Sequence, residues 1–316
     1  MIITKNKNYT HNEFDVFGKT SFGEQYRKGS LIFRVLASNS LVKEFGSSPM
    51  RERFFSDSCN PLPTPPHVSN ARNPDNKGLV VFIHGLNSSP RNGSKLYKQE
   101  IEKLAPGEFE IWVPSIHKQG SCSLEDAAEP VLEMVRKYIK TNPGKPVQLI
   151  GHSNGGRIAA YVETRLRQEE VDMRVTGIAG IFFGSDLVTF CKNTGIARAF
   201  LSKEIARDLQ TGSPRAKNLI DDMRKEIPKG SRKYTFYATT DDFAIPNFTS
   251  CFPKIGHNEE CCLIIRGGHS ELQEIVSEKE IKKVIAFLRE DRSYLRGEVI
   301  PETNTLEEHS PIMAAI

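Results

Sequence analysis

A serine hydroxyl is a poor nucleophile until a base takes its proton, and that base needs an acid to orient it. One serine in this 316-residue chain stands where such activation is feasible. Residues 151–156 read Gly-His-Ser-Asn-Gly-Gly, which puts Ser153 at the centre of a G-x-S-x-G motif. The preceding Pro146-Val147-Gln148-Leu149-Ile150 is a short apolar run, expected to be a buried strand. Arg157 to Glu163 has the apolar spacing and alanine content of a helix. Strand, motif and helix together are the setting of a nucleophile elbow, in which the serine sits on a strained turn that demands small neighbours. The free N–H groups at the helix start face any negative charge that develops there. The motif alone arises in roughly one chain of this length in ten, so it is the flanking elements that make Ser153 a candidate nucleophile.

The partners are expected downstream, at strand ends, in the order acid then histidine. The apolar strand ending at Ala238 is followed by Thr239-Thr240-Asp241-Asp242-Phe243-Ala244-Ile245-Pro246, so two adjacent carboxylates stand on one turn. The next strand ends in Arg266-Gly267-Gly268-His269 before a helical segment, which makes His269 the candidate base. The other histidines fit less well. His84 and His152 flank glycines in tight turns and read as structural, His117 follows an earlier strand, and His257 lies in a connecting loop. His11, His67 and His309 fall near the less organised ends. An oxyanion needs two preorganised N–H donors. One is expected from Asn154, directly after the serine. The other is expected from the loop after Leu79–Ile83, where Gly85 permits a sharp turn and leaves Leu86 as the donor.

The elements that must position these residues alternate along the chain. Strands are expected at Leu79 to Ile83, Phe109 to Val113, 146–151, Arg174 to Phe183, Lys233 to Ala238 and Cys261 to Ile265. Helices are expected at Ser94 to Leu104, Leu124 to Ile139, 154–167 and Lys279 to Arg289. Apolar strands alternating with amphipathic helices imply an α/β fold, a mostly parallel sheet covered by helices on both faces. The alternation fails between about 186 and 230, a helical stretch without a strand that reads as a lid-like insertion over the carboxyl end of the sheet, or as ordinary crossover helices. The main domain then runs 78–295. Residues 1–77, with a Pro-rich stretch at 60–66, are an N-terminal extension or early strands, and 296–316 is a polar tail.

Composition bounds the function classes. The chain is 38% hydrophobic and 26% charged, with a net charge of +4, values of an ordinary globular protein. Lys and Arg are scattered among Asp and Glu, a balance that argues against nucleic acid and allows only peripheral contact with acidic or membrane surfaces. No secretory signal or transmembrane run is visible, which points to the cytoplasm. Six scattered cysteines make no disulfide framework. Cys251, His257, Cys261 and Cys262 cluster in sequence, but Cys261 and Cys262 belong to one strand and face opposite sides, so neither a metal nor a cofactor is expected.

Four stretches, LVVFIHGLNSSP (79–90), VQLIGHSNGGRIAAYVE (147–163), TTDDFAIP (239–246) and GGHSEL (267–272), resemble the α/β-hydrolase superfamily in its lipase and esterase branch. A fifth, DLQTGSPRAKNL (208–219), is similar to a segment of bacterial lipases and inositol-deacylase-like proteins. The resemblance covers about residues 78 to 290. In that family the acid precedes x-x-[Val/Ile]-Pro, which selects Asp242 over Asp241. It implies Ser153 as nucleophile, His269 as base, Asp242 as acid, and Leu86 with Asn154 as oxyanion donors. Gly184-Ser185-Asp186 departs from the Pro-His that many of these lipases carry there, a departure that bears on the lid and the substrate. The function expected is hydrolysis of small-molecule or lipid esters, with acyl-chain esters preferred, through an acyl-enzyme. The alternatives are an amidase, peptidase or acyltransferase with the same triad, or a non-catalytic binding protein that kept the fold.

Overall fold

The structure, a computed structural model, describes residues 2–5, 76–193 and 201–289. Seven strands form one sheet: β1 (Ile2–Lys5), β2 (Leu79–Ile83), β3 (Glu110–Trp112), β4 (Val147–His152), β5 (Met173–Ile178), β6 (Arg232–Thr239) and β7 (Glu259–Ile264). Their order is β1-β7-β6-β5-β4-β2-β3. All neighbouring pairs from β7 to β3 are parallel, and β1 joins the β7 edge antiparallel. Strands β2, β4 and β5 are buried at every residue, as continuous apolar runs must be when helices cover both faces of a sheet.

The covering helices are α1 (Pro90–Gly93), α2 (Gln99–Leu104), α3 (Leu124–Thr141), α4 (Asn154–Arg165), α5 (Asp186–Asn193), α6 (Lys203–Asp208), α7 (Pro214–Arg224) and α8 (Leu272–Leu288). Helix α3 starts where Ser123 caps the Asp126 N–H at 3.1 Å, and it buries the apolar stripe Leu124, Ala127, Ala128, Val131, Leu132, Val135 and Ile139. The chain moves from β2 outward to β3, then returns to place β4 on the other side of β2. That reversal is a topological switch point, where the loops leaving the carboxyl ends of β2 and β4 diverge and open a crevice.

Buried charge ties helices to the sheet. Glu280 of α8 takes a two-pronged contact from Arg174 of β5 at 2.7 and 3.0 Å, and accepts from Thr176 at 2.5 Å and Tyr237 at 3.0 Å. Arg167 pairs with Glu163 at 2.9 Å and donates to the last carbonyls of α7, at Asp222, Met223 and Lys225. It thereby satisfies groups that a helix end leaves open.

Several boundaries differ from the sequence reading. The fifth strand stops at Ile178, not Phe183, because Ala179 adopts φ +48 and turns the chain, and Phe182 N then donates to Ser250 O at 3.0 Å. The closing helix begins at Leu272, not Lys279. The stretch from Ser94 to Leu104 divides into a π-helical turn (Ser94–Lys98) followed by α2. Within 186–230 the described residues form α5, α6 and α7, and the chain pairs only at an isolated bridge between Ser185 and Gln210. Helix α7 packs on α4 and buries Ala216, Leu219, Ile220 and Met223, so it serves as the crossover helix between β5 and β6. Of the expected extension and tail, only 2–5 and 76–77 lie among the described residues. Among the described residues no helix is long and apolar enough to cross a membrane.

Candidate active site

Strand β4 delivers Ser153 to the carboxyl edge beside the switch point, at the N-cap of α4. Its φ of 56° and ψ of −125° put it in a conformation that costs a non-glycine residue roughly 1–3 kcal/mol. A serine at an N-cap ordinarily turns its hydroxyl onto the helix N–H groups; here the side chain makes no capping bond. The glycines of the motif are required by close approach. A Cβ on Gly151 would overlap the Gly155 backbone, and one on Gly155 would overlap the Ile83 carbonyl. The turn also holds its shape through Ser153 N donating to Ile178 O at 2.9 Å.

His269 lies on the loop between β7 and α8, and its Nδ1 is 2.8 Å from Asp242 Oδ2. Asp242 is buried, and its other oxygen accepts the Ile245 N–H at 2.8 Å, so the carboxylate is fixed at both ends. Asp241 is exposed and meets only the Thr240 hydroxyl at 3.1 Å among its side-chain hydrogen bonds. Of the two adjacent carboxylates, Asp242 is therefore the one that reaches the histidine. A carboxylate on Nδ1 holds the proton there and leaves Nε2 as the basic nitrogen, the tautomer that deprotonates a serine.

The two expected oxyanion segments converge on Ser153. A Cβ on Gly85 would lie 2.9 Å from Ser153 Cβ, so the loop after β2 lies directly against the serine. Asn154 is the first residue of α4, and its N–H has no intrahelical carbonyl to meet. The turn after β3 braces both. Asn87 N donates to Gln119 O at 3.0 Å, and Asn154 Nδ2 reaches Gly120 O at 3.4 Å. Arg157, wholly buried one turn into α4, donates to Asn154 Oδ1 at 3.2 Å. Burial lowers its pKa to about 10.

The two histidines read as structural are buried hydrogen-bonding groups. His84 Nε2 accepts from Ile116 N at 3.2 Å, which leaves Nδ1 to donate to Gly85 O at 2.9 Å and lock the loop after β2. Burial lowers its pKa. His152 meets the backbone oxygen of His269 at 3.0 Å. Sequence reasoning missed this contact, since it depends on a loop 117 residues away. Arg157 also went unnoticed, because an arginine in a helix reads as a solvent-facing residue.

Residues 73–191, from just before β2 into α5, match a family described as "Putative serine esterase (DUF676)". No curated protein matches the chain in sequence. Among solved structures the chain is similar to the monoacylglycerol lipase of Paleococcus ferrophilus, at 17% identity and a TM-score of 0.45, with 67% of this chain and 94% of that one covered. It is similar to a structure of the metagenome-derived lipolytic enzymes LipS and LipT, at 14% identity and a TM-score of 0.48, covering 68% and 95%. It is also similar to the peroxisomal α/β-hydrolase Lpx1 of Saccharomyces cerevisiae, at 13% identity and a TM-score of 0.44, covering 73% and 89%.

Proposed function

We propose that this chain is an α/β-hydrolase that acts as a serine hydrolase of carboxylic esters, a reading supported by its parallel sheet and by the family match over residues 73–191. The observation that carries the proposal is the 2.8 Å contact between His269 Nδ1 and Asp242 Oδ2 at the same sheet edge as a serine held at positive φ. In the proposed reaction Ser153 Oγ attacks the ester carbonyl as His269 Nε2 takes its proton. The N–H groups of Leu86 and Asn154 hold the oxygen that becomes negative. His269 returns the proton to the departing alcohol, leaving an acyl-enzyme on Ser153. Water, deprotonated by His269, then attacks the acyl-enzyme, and the acid product and free serine result.

A preference for apolar acyl groups is supported by the residues around this edge. Leu86, Phe183, Val188 and Ala244 are half-buried apolar side chains on the loops and helix that leave β2, β5 and β6. Turnover of p-nitrophenyl esters of increasing acyl length, on wild type and on Ser153→Ala, tests both statements. The expected result is loss of about 10³-fold or more in the variant, and higher kcat/KM for longer chains in wild type. Activity that survives in a folded Ser153→Ala protein would refute the proposal.

A further inference from the structure

We propose that His152 is a positioning residue that fixes the candidate base His269 in register with Ser153, an assignment that rests on the ester-hydrolase reading above. The problem it solves is one of distance. His269 follows β7 and Ser153 follows β4, with β6 and β5 between them. Three strand spacings amount to about 14 Å, which the 265–271 loop must bridge for the two side chains to meet. Three contacts of that loop lie on its own side of the gap. Thr239 Oγ1, at the end of β6, donates to Gly267 O at 2.8 Å, and Asp242, also after β6, holds the His269 ring. Gly268 N donates to Glu271 Oε2 at 2.9 Å within the loop itself. The His152 contact reaches this loop from β4, across the gap, and His152 adjoins Ser153 in sequence.

The chemistry suits the task. A backbone oxygen can only accept, so His152 Nε2 carries the proton and donates to His269 O at 3.0 Å. The two rings lie 5.0 Å apart between centroids, tilted by 48°. A charged group so close would oppose the imidazolium that forms on His269 in each turnover. Burial, with the neighbouring His269, pushes the His152 pKa down to about 4, so the ring donates its hydrogen bond without carrying charge. A lysine or arginine at this position would supply the donor together with a charge, and a phenylalanine would supply the shape alone.

The test uses the full-length chain with His152→Phe, which keeps a ring and removes the donor, and His152→Gln, which keeps an uncharged donor. Steady-state ester kinetics, the labelling rate of Ser153 by a small fluorophosphonate, and thermal melts are measured on both and on wild type. Misplacing a catalytic group by about 1 Å costs on the order of 10²-fold. His152→Phe is therefore expected to lower kcat and the labelling rate by roughly 10- to 10²-fold with KM little changed, and His152→Gln to recover most of that loss. Should the Phe variant melt early, His152→Ala assayed below its melting temperature carries the same expectation. Wild-type kcat in a variant without a donor overturns the assignment, as does a Gln variant no better than Phe, or a loss confined to KM. Wild type that does not label at Ser153 overturns the hydrolase reading itself, a result separable from the others because it precedes any comparison of variants.

Discussion

Asp241 and Asp242 are chemically identical neighbours whose environments separate them. One is exposed, and the other is buried with one oxygen on a backbone N–H and the other on His269. Asp242→Asn removes the charge that stabilises an imidazolium and inverts the hydrogen bond that selects the tautomer, so kcat should fall on the order of 10³-fold or more. Asp241→Asn should change kcat little, and assays of the two variants side by side decide it. His152 supplies a second residue-level expectation, in stability. Its folded pKa of about 4 lies below the ordinary 6.5, so between these values the unfolded chain binds a proton that the folded chain does not. Stability should therefore fall as pH drops from about 6.5 to 4, by on the order of 3 kcal/mol from this residue. His84 is shifted in the same direction and adds to the loss. Urea melts across this range should show a shallower slope for His152→Gln than for wild type. Ser153 and His269 stood out as candidates because motif spacing and strand-end position are local signals. The choice between Asp241 and Asp242 needed the family pattern, since the direction of a side chain on a turn is set by contacts that the sequence does not display.

At the scale of elements, helix α8 shows why pattern reading stops short. Its first turns carry Leu272 and Val276 on the buried face, but Glu280 is on that face too and interrupts the apolar rhythm. A reader of periodicity therefore starts the helix too late. Glu280 is wholly buried because Arg174, Thr176 and Tyr237 satisfy it, and these partners come from β5 and β6. Removing the carboxylate by Glu280→Gln strands Arg174 in the core, and should cost about 3–5 kcal/mol in a urea titration. Replacing both with apolar residues, Arg174→Met with Glu280→Leu, should recover most of that loss. The early end of β5 was equally hidden, because Ile181, Phe182 and Phe183 continue an apolar run after the backbone has turned at Ala179. Strand β1 is short, and its pairing with β7 joins residues more than 250 positions apart. In the 186–230 stretch apolar spacing predicts helices without showing what they cover. Leu201, in this stretch, packs against the core.

At the scale of the whole molecule, the fold explains why the candidate residues gather at one edge of the sheet. The strand order reverses between β2 and β4, and these two strands deliver the Leu86 loop and Ser153 to the same crevice. The remaining parts arrive from β6 and β7, across the carboxyl edge of the same sheet. Alternating apolar strands and amphipathic helices made this architecture legible from sequence, because burial on both faces leaves no polar alternation to confuse it. Substrate identity was not legible, since it depends on loop and helix geometry above the sheet, where apolar spacing shows a buried face without showing its partner. The most direct test of Ser153 as the nucleophile is the site of covalent capture. Full-length protein is treated with a fluorophosphonate, digested, and the adduct is mapped by mass spectrometry, with Ser153→Ala treated in parallel. A single adduct on Ser153 that is absent from the folded variant is the expected result. No adduct in wild type, or one that persists in Ser153→Ala, would contradict the assignment of Ser153 as the nucleophile.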